Sequence, residues 1–386
     1  MSSSSSRGAA ATGALPQRVH IVGAGLLGAS LGLALTRAGA AVTLADASPT
    51  AAQLAADMGA GTVAEAAADT QLVVVAAPPD VTASLVVEHL RRLPEATVTD
   101  VASVKGALLD AVRRSVTGAE LDRYIGSHPM AGRERSGAIA ARVDLFEDRP
   151  WVICSDEATP PERLAQVVAT ASAVGSTVLH LEPDFHDSSV ARVSHAPQVM
   201  SSLVAARLAR MPVEGVALAG QGLRDVTRIA ASDPGLWTQI LAGNAAEVRT
   251  VLMEIREDLD RVIAALALEP GALAVLAGAI AAGNEGQQRI PGKHGQAPTQ
   301  YATVTVVIGD EPGNLGRLFA EVGELGINIE DVRIDHATGR RLGSLDLFVL
   351  PAHVQDLVDG LLARGWRLPD HAEKRTEADT PNEGQR

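Results

Sequence analysis

The sequence predicts three parts: a doubly wound α/β dinucleotide-binding domain, an all-α domain, and a small ferredoxin-like βαββαβ unit. Three observations carry this. A glycine-rich turn stands directly between a short apolar run and a helical pattern near the start. Continuous apolar runs then recur, to about residue 183, at intervals long enough for helical crossovers, as strands buried on both faces require. After Asp184 the pattern turns almost wholly helical, and beyond a polar connector strand and helix alternate again.

The opening "MSSSSSRGAAATGA" lacks the sustained apolar stretch of a signal peptide, and residues 1–16 read as a disordered tail. The Rossmann-type domain spans 17–183. In it "RVHIVG" is a buried strand, "LGASLGLALTRAG" a helix stopped by Gly39, and "AVTLAD" the second strand. "QLVVVAAPP", "TVTDVAS" and "YIGSHP" continue the sheet, and "PWVICS" and "STVLHLEP" extend it. Residues 184–284 form the helical domain, with runs such as "AAEVRTVLMEIREDLDRVIAALAL". "NEGQQRIPGKHGQAP" supplies a linker over 285–299. The βαββαβ unit occupies 300–370, and the polar residues 371–386 read as a second tail.

Composition narrows the function. A formal charge of −13 is the wrong sign for a nucleic-acid footprint. No run of about 18 apolar residues is free of charge or turn breaks, so no membrane span is expected. The single cysteine, Cys154, rules out an internal disulfide and a cysteine-cluster metal site; it reads as a buried small hydrophobe in a reducing, cytoplasmic setting. Aromatics make up 2% of residues, so the cores must be built of Ala, Val and Leu.

"GAGLLG" places Gly23, Gly25 and Gly28 in GxGxxG spacing. In a chain with 36 glycines the spacing alone is weak, but here it follows a strand and opens a helix. The first glycine allows the turn, the second admits a pyrophosphate to the backbone beside Leu26 and Leu27, and the third lets helix and strand pack. Asp46 ends the second strand, where its carboxylate can accept both ribose hydroxyls and repel a 2′-phosphate; no arginine follows in "DASPT". NAD is therefore expected over NADP. Ala77, Pro78 and Asp100, at the ends of later strands, complete the expected cofactor set.

"GSHPMAGRERSG" sets His128 before a proline, in a loop at the carboxyl edge of the sheet, where ligands of doubly wound folds bind. A neutral histidine there can accept a proton as hydride leaves the same carbon. Ser103, in "TDVASVKG" with Asp100 and Lys105, can orient that ring. In "GLRDVTRIAASDPGLW", Arg224 and Arg228 share a helix face with Asp225 between them, and "SDP" caps a helix carrying Trp237 in its first turn. An arginine aimed into the cleft binds a carboxylate bidentately; a solvated, salt-bridged face is the other reading.

In one order, "GAGLLGASLGLAL", "TDVASVKG", "GSHPMAGRERSG", "TRIAASDPGLW" and "IPGKHG" resemble the prephenate dehydrogenase family of tyrosine biosynthesis, over about Arg18 to His294. The resemblance implies NAD-dependent oxidative decarboxylation of prephenate to 4-hydroxyphenylpyruvate without a metal. It makes His128 and Ser103 the catalytic pair, with Arg228 on the ring carboxylate and Glu134, His195, Trp237 and Asp225 around the substrate. His186 and Asp187 also match family positions, with capping or interface roles equally open. Gln198 stands where the family often has a second histidine. A homodimer is implied. "DEPGNLGRLFAEVGELGINIED" resembles an ACT domain, an amino-acid-binding regulatory module, and implies tyrosine as effector at Asn314, Leu315 and Gly316.

Other readings make different demands. Arogenate dehydrogenase performs the same chemistry on an amino-acid side chain. A non-catalytic amino-acid sensor on a Rossmann–ACT scaffold would have lost the histidine, serine or arginine, and all three are present. A β-hydroxyacid-type dehydrogenase would use a helical-domain lysine, and none occurs between Asp184 and Gly283.

Overall fold

The computed structural model describes residues 13–132, 137–155, 158–291, 301–309, 311–336 and 342–369. It divides into two compact units, Met1–Arg261 and Val262–Arg386. Both tails expected from the sequence lie largely outside the described residues.

The first unit is built on an eight-stranded sheet: β1 (Arg18–Val22), β2 (Ala41–Ala45), β3 (Thr62–Val63), β4 (Leu72–Val75), β5 (Thr97–Asp100), β6 (Tyr124–Pro129), β7 (Pro150–Cys154) and β8 (Thr177–Leu181). Their order is β3-β2-β1-β4-β5-β6-β7-β8, which puts the topological switch between β1 and β4. Alternate residues of β4 enter different cores. Leu72 and Val74 pack with Ile21, Leu31, Leu35 and Phe146, whereas Val73 and Val75 pack with Val86, Leu90, Val98 and Val112. Both faces are thus covered, each fully buried Val or Leu contributing about 1.5–3 kcal/mol.

The sheet is not parallel throughout, as the sequence had suggested. β7 runs antiparallel to β6, pairing His128 with Val152 and Pro129 with Trp151, and β8 follows β7 in parallel. The chain leaves β6 at the carboxyl edge and re-enters β7 at that same edge after residues 130–149, with no crossover helix among the described residues to carry it back. Arg142 N on this return donates to Ser30 Oγ of the helix Leu26–Arg37 at 3.0 Å. In mid-sheet, His20 stacks on His89 with ring centroids 5.7 Å apart, and burial pushes the His20 pKa down to about 4, with His89 adding to the shift.

Helices fill the rest of the first unit from Pro183. They include Pro183–Val190, a π-helical turn Ala191–His195, Ala196–Leu208, Gln221–Thr227, a 3₁₀ turn Arg228–Ala231 and Pro234–Gly243; Ala245–Ala265 runs across the boundary between units. Arg224 and Arg228 therefore do not share a continuous α-helix: it ends at Thr227, and Arg228 opens the tighter turn. The cap is as expected, Asp233 Oδ1 accepting Leu236 N at 2.7 Å.

In the second unit the helix Ala272–Gln287 runs into the segment expected to be linker. Beyond it come β9 (Ala302–Gly309), a helix Asn314–Glu324, β10 (Asp331–His336), β11 (Leu342–Val349) and a helix Val354–Ala363. The sheet is antiparallel in the order β10-β11-β9, and the expected sixth element is reduced to one bridge, Val307 with Arg367. Val306, Ile308, Leu318, Leu345, Leu347 and Leu357 make its core.

Candidate active site

At the cofactor end, backbone geometry explains each glycine. Gly23 has φ +106°, and a Cβ there would lie 2.3 Å from Ala76 O. A Cβ on Gly28 would strike Gly23 O at 1.8 Å, so helix and turn pack only with glycine. Gly25 differs: a Cβ would meet nothing within 4 Å, and it caps the helix Leu26–Arg37 without a side-chain hydrogen bond. Open space thus faces backbone N–H groups at a helix N-terminus, an arrangement that fits a pyrophosphate. Asp46 spans the turn, Oδ2 accepting Ala24 N at 2.6 Å and Oδ1 accepting Ser48 N at 2.7 Å. Each oxygen keeps a second lone pair for a ribose hydroxyl. Ala77 and Pro78 lead into the helix Pro79–Arg92, held by Thr82 Oγ1 at 3.1 and 2.9 Å from their carbonyls.

Asp100 does not join them. It is 0% exposed, with its carboxylate paired to Lys105 Nζ, accepting Tyr124 OH at 2.7 Å and Ala102 N at 2.8 Å. With both oxygens engaged inside the protein it has no face for a nucleotide, contrary to the sequence expectation. It serves β6 instead: Lys105 Nζ also donates to Ser127 O at 2.6 Å, and Ser127 Oγ donates to Asp100 O at 2.7 Å. The residue before His128 is thereby fixed.

His128 is 9% exposed near the end of β6. Its Nδ1 lies 2.9 Å from His186 Nε2, the rings meeting edge to face at 5.2 Å. His186 Nδ1 lies 2.8 Å from Asp187 Oδ1. Asp187 accepts Lys105 N at 2.9 Å and Gly106 N at 2.8 Å. Burial pushes the His128 pKa well below the usual histidine value, and His186, Lys105 and His195 push it further in that direction. Burial alone would raise the Asp187 pKa, but the His186 side chain and the two backbone donors hold it below the usual range. A neutral base and an ionised carboxylate therefore sit one ring apart, with His186 between them.

Ser103, expected as the partner of His128, is half-buried and makes no hydrogen bond among the described residues; His186 takes that place. The signal was in the sequence, since "DFHDSS" carried a His–Asp pair, but spacing could not separate it from a helix cap. His195 is 1% exposed, with Nδ1 at 3.1 Å from Asn244 Nδ2 and its ring 6.0 Å from Trp237; burial lowers its pKa to about 4. Asn244 also donates to Asp187 O at 2.8 Å, and the sequence analysis did not single it out. Gln198 does not reach His195: its amide donates to Ile229 O at 3.0 Å, steadying the turn that begins with Arg228.

Arg228 is exposed, as is Asp225, whose Oδ1 accepts Gln221 Nε2 at 2.8 Å. Glu134 lies outside the described residues. In the second unit Asn314 Nδ2 donates to Gly309 O at 3.1 Å, while Leu315 and Gly316 in the first turn are exposed. Among the described residues no cluster of His, Cys, Asp or Glu could hold a metal ion, and no helix is long and apolar enough to cross a membrane.

Comparison with known proteins follows this geometry. The profile for the prephenate dehydrogenase nucleotide-binding domain matches residues 31–180, and that for the prephenate dehydrogenase dimerization domain matches residues 182–272. The chain is 33% identical over 358 residues to the protein named probable prephenate dehydrogenase NovF of Streptomyces niveus, covering 90% of this chain and 98% of the relative. Among solved structures, prephenate dehydrogenase from A. aeolicus in complex with hydroxyphenyl propionate and NAD⁺ is 27% identical, with TM-score 0.60 over 70% of this chain and 98% of its own. Synechocystis arogenate dehydrogenase is 26% identical, with TM-score 0.58 over 69% and 99%. The buried histidine and the helical half fall in order within those two matched segments, and the relative from Streptomyces niveus matches over 90% of the chain: this chain belongs to the prephenate dehydrogenase family.

Proposed function

We propose that the chain is an NAD-dependent prephenate dehydrogenase, converting prephenate to 4-hydroxyphenylpyruvate and CO₂ in tyrosine biosynthesis. The observation that carries this reading is His128, a buried neutral imidazole at the carboxyl edge of the sheet whose first turn is a dinucleotide cradle. NAD⁺, when bound, supplies the hydride acceptor. Gly23, Gly25, Leu26, Leu27 and Gly28 would hold its pyrophosphate, Asp46 its ribose, and Ala77 and Pro78 would border it. His128 takes the proton of the ring hydroxyl as the hydroxyl-bearing carbon is oxidised. Arg228 holds the ring carboxylate until it leaves as CO₂, its bonding pair completing the aromatic ring. His195, Trp237, Asp225 and Glu134 are assigned to the substrate by family position, and Ser103 to the catalytic pair on the same ground.

Arogenate is the competing substrate, since a structural neighbour bears that name. Purified protein offered prephenate or arogenate, with NAD⁺ or NADP⁺, separates the cases by NADH or NADPH formation. Prephenate with NAD⁺ is expected to be oxidised most efficiently; oxidation of arogenate alone would overturn the substrate assignment.

The homodimer reading is supported by apolar side chains left exposed on the helical half, among them Val193, Leu203, Leu236 and Met253. The final unit is assigned as an ACT domain with tyrosine as effector near Asn314, Leu315 and Gly316, where the left-handed Gly313 (φ +93°) opens a helix. Truncation after Gly295 should keep catalysis and abolish tyrosine inhibition; inhibition that survives would move the effector elsewhere.

A further inference from the structure

We propose that His186 and Asp187 are positioning residues: anchored on the backbone of Lys105 and Gly106, they fix His128 in the tautomer whose Nε2 is free to take a proton. The proposal rests on the reading of His128 as the base and deepens it.

The argument is one of elimination along the chain of contacts. An ionised carboxylate can only accept hydrogen bonds. Asp187 accepts from Lys105 N at 2.9 Å and Gly106 N at 2.8 Å, in the first turn of the helix Gly106–Arg113. Its Oδ1 also lies 2.8 Å from His186 Nδ1, so that nitrogen must carry the hydrogen. In a neutral ring, hydrogen on His186 Nδ1 leaves Nε2 as the acceptor, 2.9 Å from His128 Nδ1. The hydrogen of this contact belongs to His128, whose Nε2 is left with its lone pair. The opposite tautomer would set two lone pairs face to face at 2.9 Å and turn an N–H toward the hydroxyl it should deprotonate.

The intervening ring has its own consequence. A carboxylate in direct contact would favour the charged form of His128. With His186 inserted, the groups acting on His128 are His186, Lys105 and His195, all of which favour the neutral ring. Orientation is thus transmitted without the charge. Both ends of the chain are pinned: Lys105 Nζ holds Ser127 O at 2.6 Å, and Asn244 Nδ2 holds Asp187 O at 2.8 Å. No other described side chain bonds to His128 Nδ1, so the tautomer depends on this one route.

Three variants test the proposal: Asp187→Asn, His186→Leu and His186→Gln. An Asn amide can donate to His186 Nδ1 and reverse every hydrogen in the chain, so Asp187→Asn should lower kcat by about 10²-fold or more while the KM for prephenate and NAD⁺ stays within about threefold. His186→Leu removes the acceptor and should do the same. His186→Gln restores an acceptor oxygen at similar reach and should recover kcat to within about tenfold of wild type. Imidazole ¹⁵N spectra give a readout that activity does not enter: hydrogen on Nδ1 of His128 in wild type and His186→Gln, and on Nε2 in Asp187→Asn. Asp187 also caps a helix; if Asp187→Asn fails to fold, the Leu and Gln pair at His186, which leaves that cap intact, decides the matter. Folded His186→Leu enzyme with wild-type kcat, pH profile and His128 tautomer overturns the proposal. His128→Asn run alongside keeps the two readings apart. An inactive His128→Asn beside an active His186→Leu sinks only the positioning role, whereas an active His128→Asn sinks the base itself.

Discussion

The two ends of the proposed substrate site are held in different ways. Behind His128 the supporting polar groups are buried and tied, with Lys105 at 1%, His186 at 0% and Asp187 at 6% exposure and contacts of 2.6–2.9 Å. Around Arg228 the chain is a short 3₁₀ turn with the arginine itself exposed, its backbone steadied from behind by Gln198. A base must be placed before substrate arrives, because a misplaced lone pair forfeits the proton transfer. An anion clamp can be completed by the anion itself, since a charge-assisted contact stabilises its own geometry. The contrast teaches that substitutions at the first end should act on turnover and at the second on affinity.

The largest expected effect tests that division directly. His128→Asn should lower kcat by about 10²–10⁴-fold with little change in KM, and the acidic limb of kcat/KM should vanish. In wild type that limb should lie below the ordinary histidine value, because burial depresses the His128 pKa: activity falls only when the pH drops far enough to protonate a ring held neutral. A limb at or above pH 6.5 would show that burial does not govern this base. Arg228→Ala should show the opposite signature, a KM for prephenate raised about 10–100-fold with kcat and NAD⁺ binding nearly constant. If Arg228→Ala lowered kcat as His128→Asn does, the division between the ends would be lost.

Two smaller effects sharpen the comparison by lying outside both ends. Asp46→Asn removes the charge that opposes a 2′-phosphate, and the preference for NAD⁺ over NADP⁺ should narrow by about tenfold, roughly 1.4 kcal/mol. An unchanged ratio would move cofactor selection to other residues. His20 makes a prediction about stability alone. Its pKa is lowered to about 4 in the fold, so the unfolded chain binds the extra proton between there and the unperturbed value near 6.5. Its contribution is fully present above pH 6.5 and is lost as the pH falls toward 4, by about 1–3 kcal/mol. Unfolding curves of His20→Gln should be flatter than wild type over that window; equal slopes would show that His20 does not titrate on unfolding.

What the sequence disclosed followed from local rules. Gly23, Gly25, Gly28 and Asp46 were legible because a phosphate turn must be glycine and must follow a strand. The Asp233 cap and the break at Gly39 were legible for the same kind of reason. Contacts between residues far apart in sequence were not. Lys105 reads as a loop residue until Asp187, 82 positions on, proves to be its partner, and Asp100 reads as a cofactor ligand until Lys105 and Tyr124 enclose it. The reversal of β7 was hidden because strand direction is set by which edge the connection leaves and enters, not by the strand's own residues. The α-helix ending at Thr227 was hidden because a 3₁₀ turn continues nearly the same periodicity.

That reversal of β7 also decides where this chain can change length safely. Because β6 ends and β7 begins at one edge, residues inserted between them lengthen a connection at the carboxyl edge of the sheet and leave the pairing of His128 with Val152 in place. The segment before β6 has no such freedom, since Arg123 there fastens the carbonyls of Leu90, Leu93 and Ala96. A change of length is therefore absorbed by the connection that follows the base, while the strand that carries the base stays anchored.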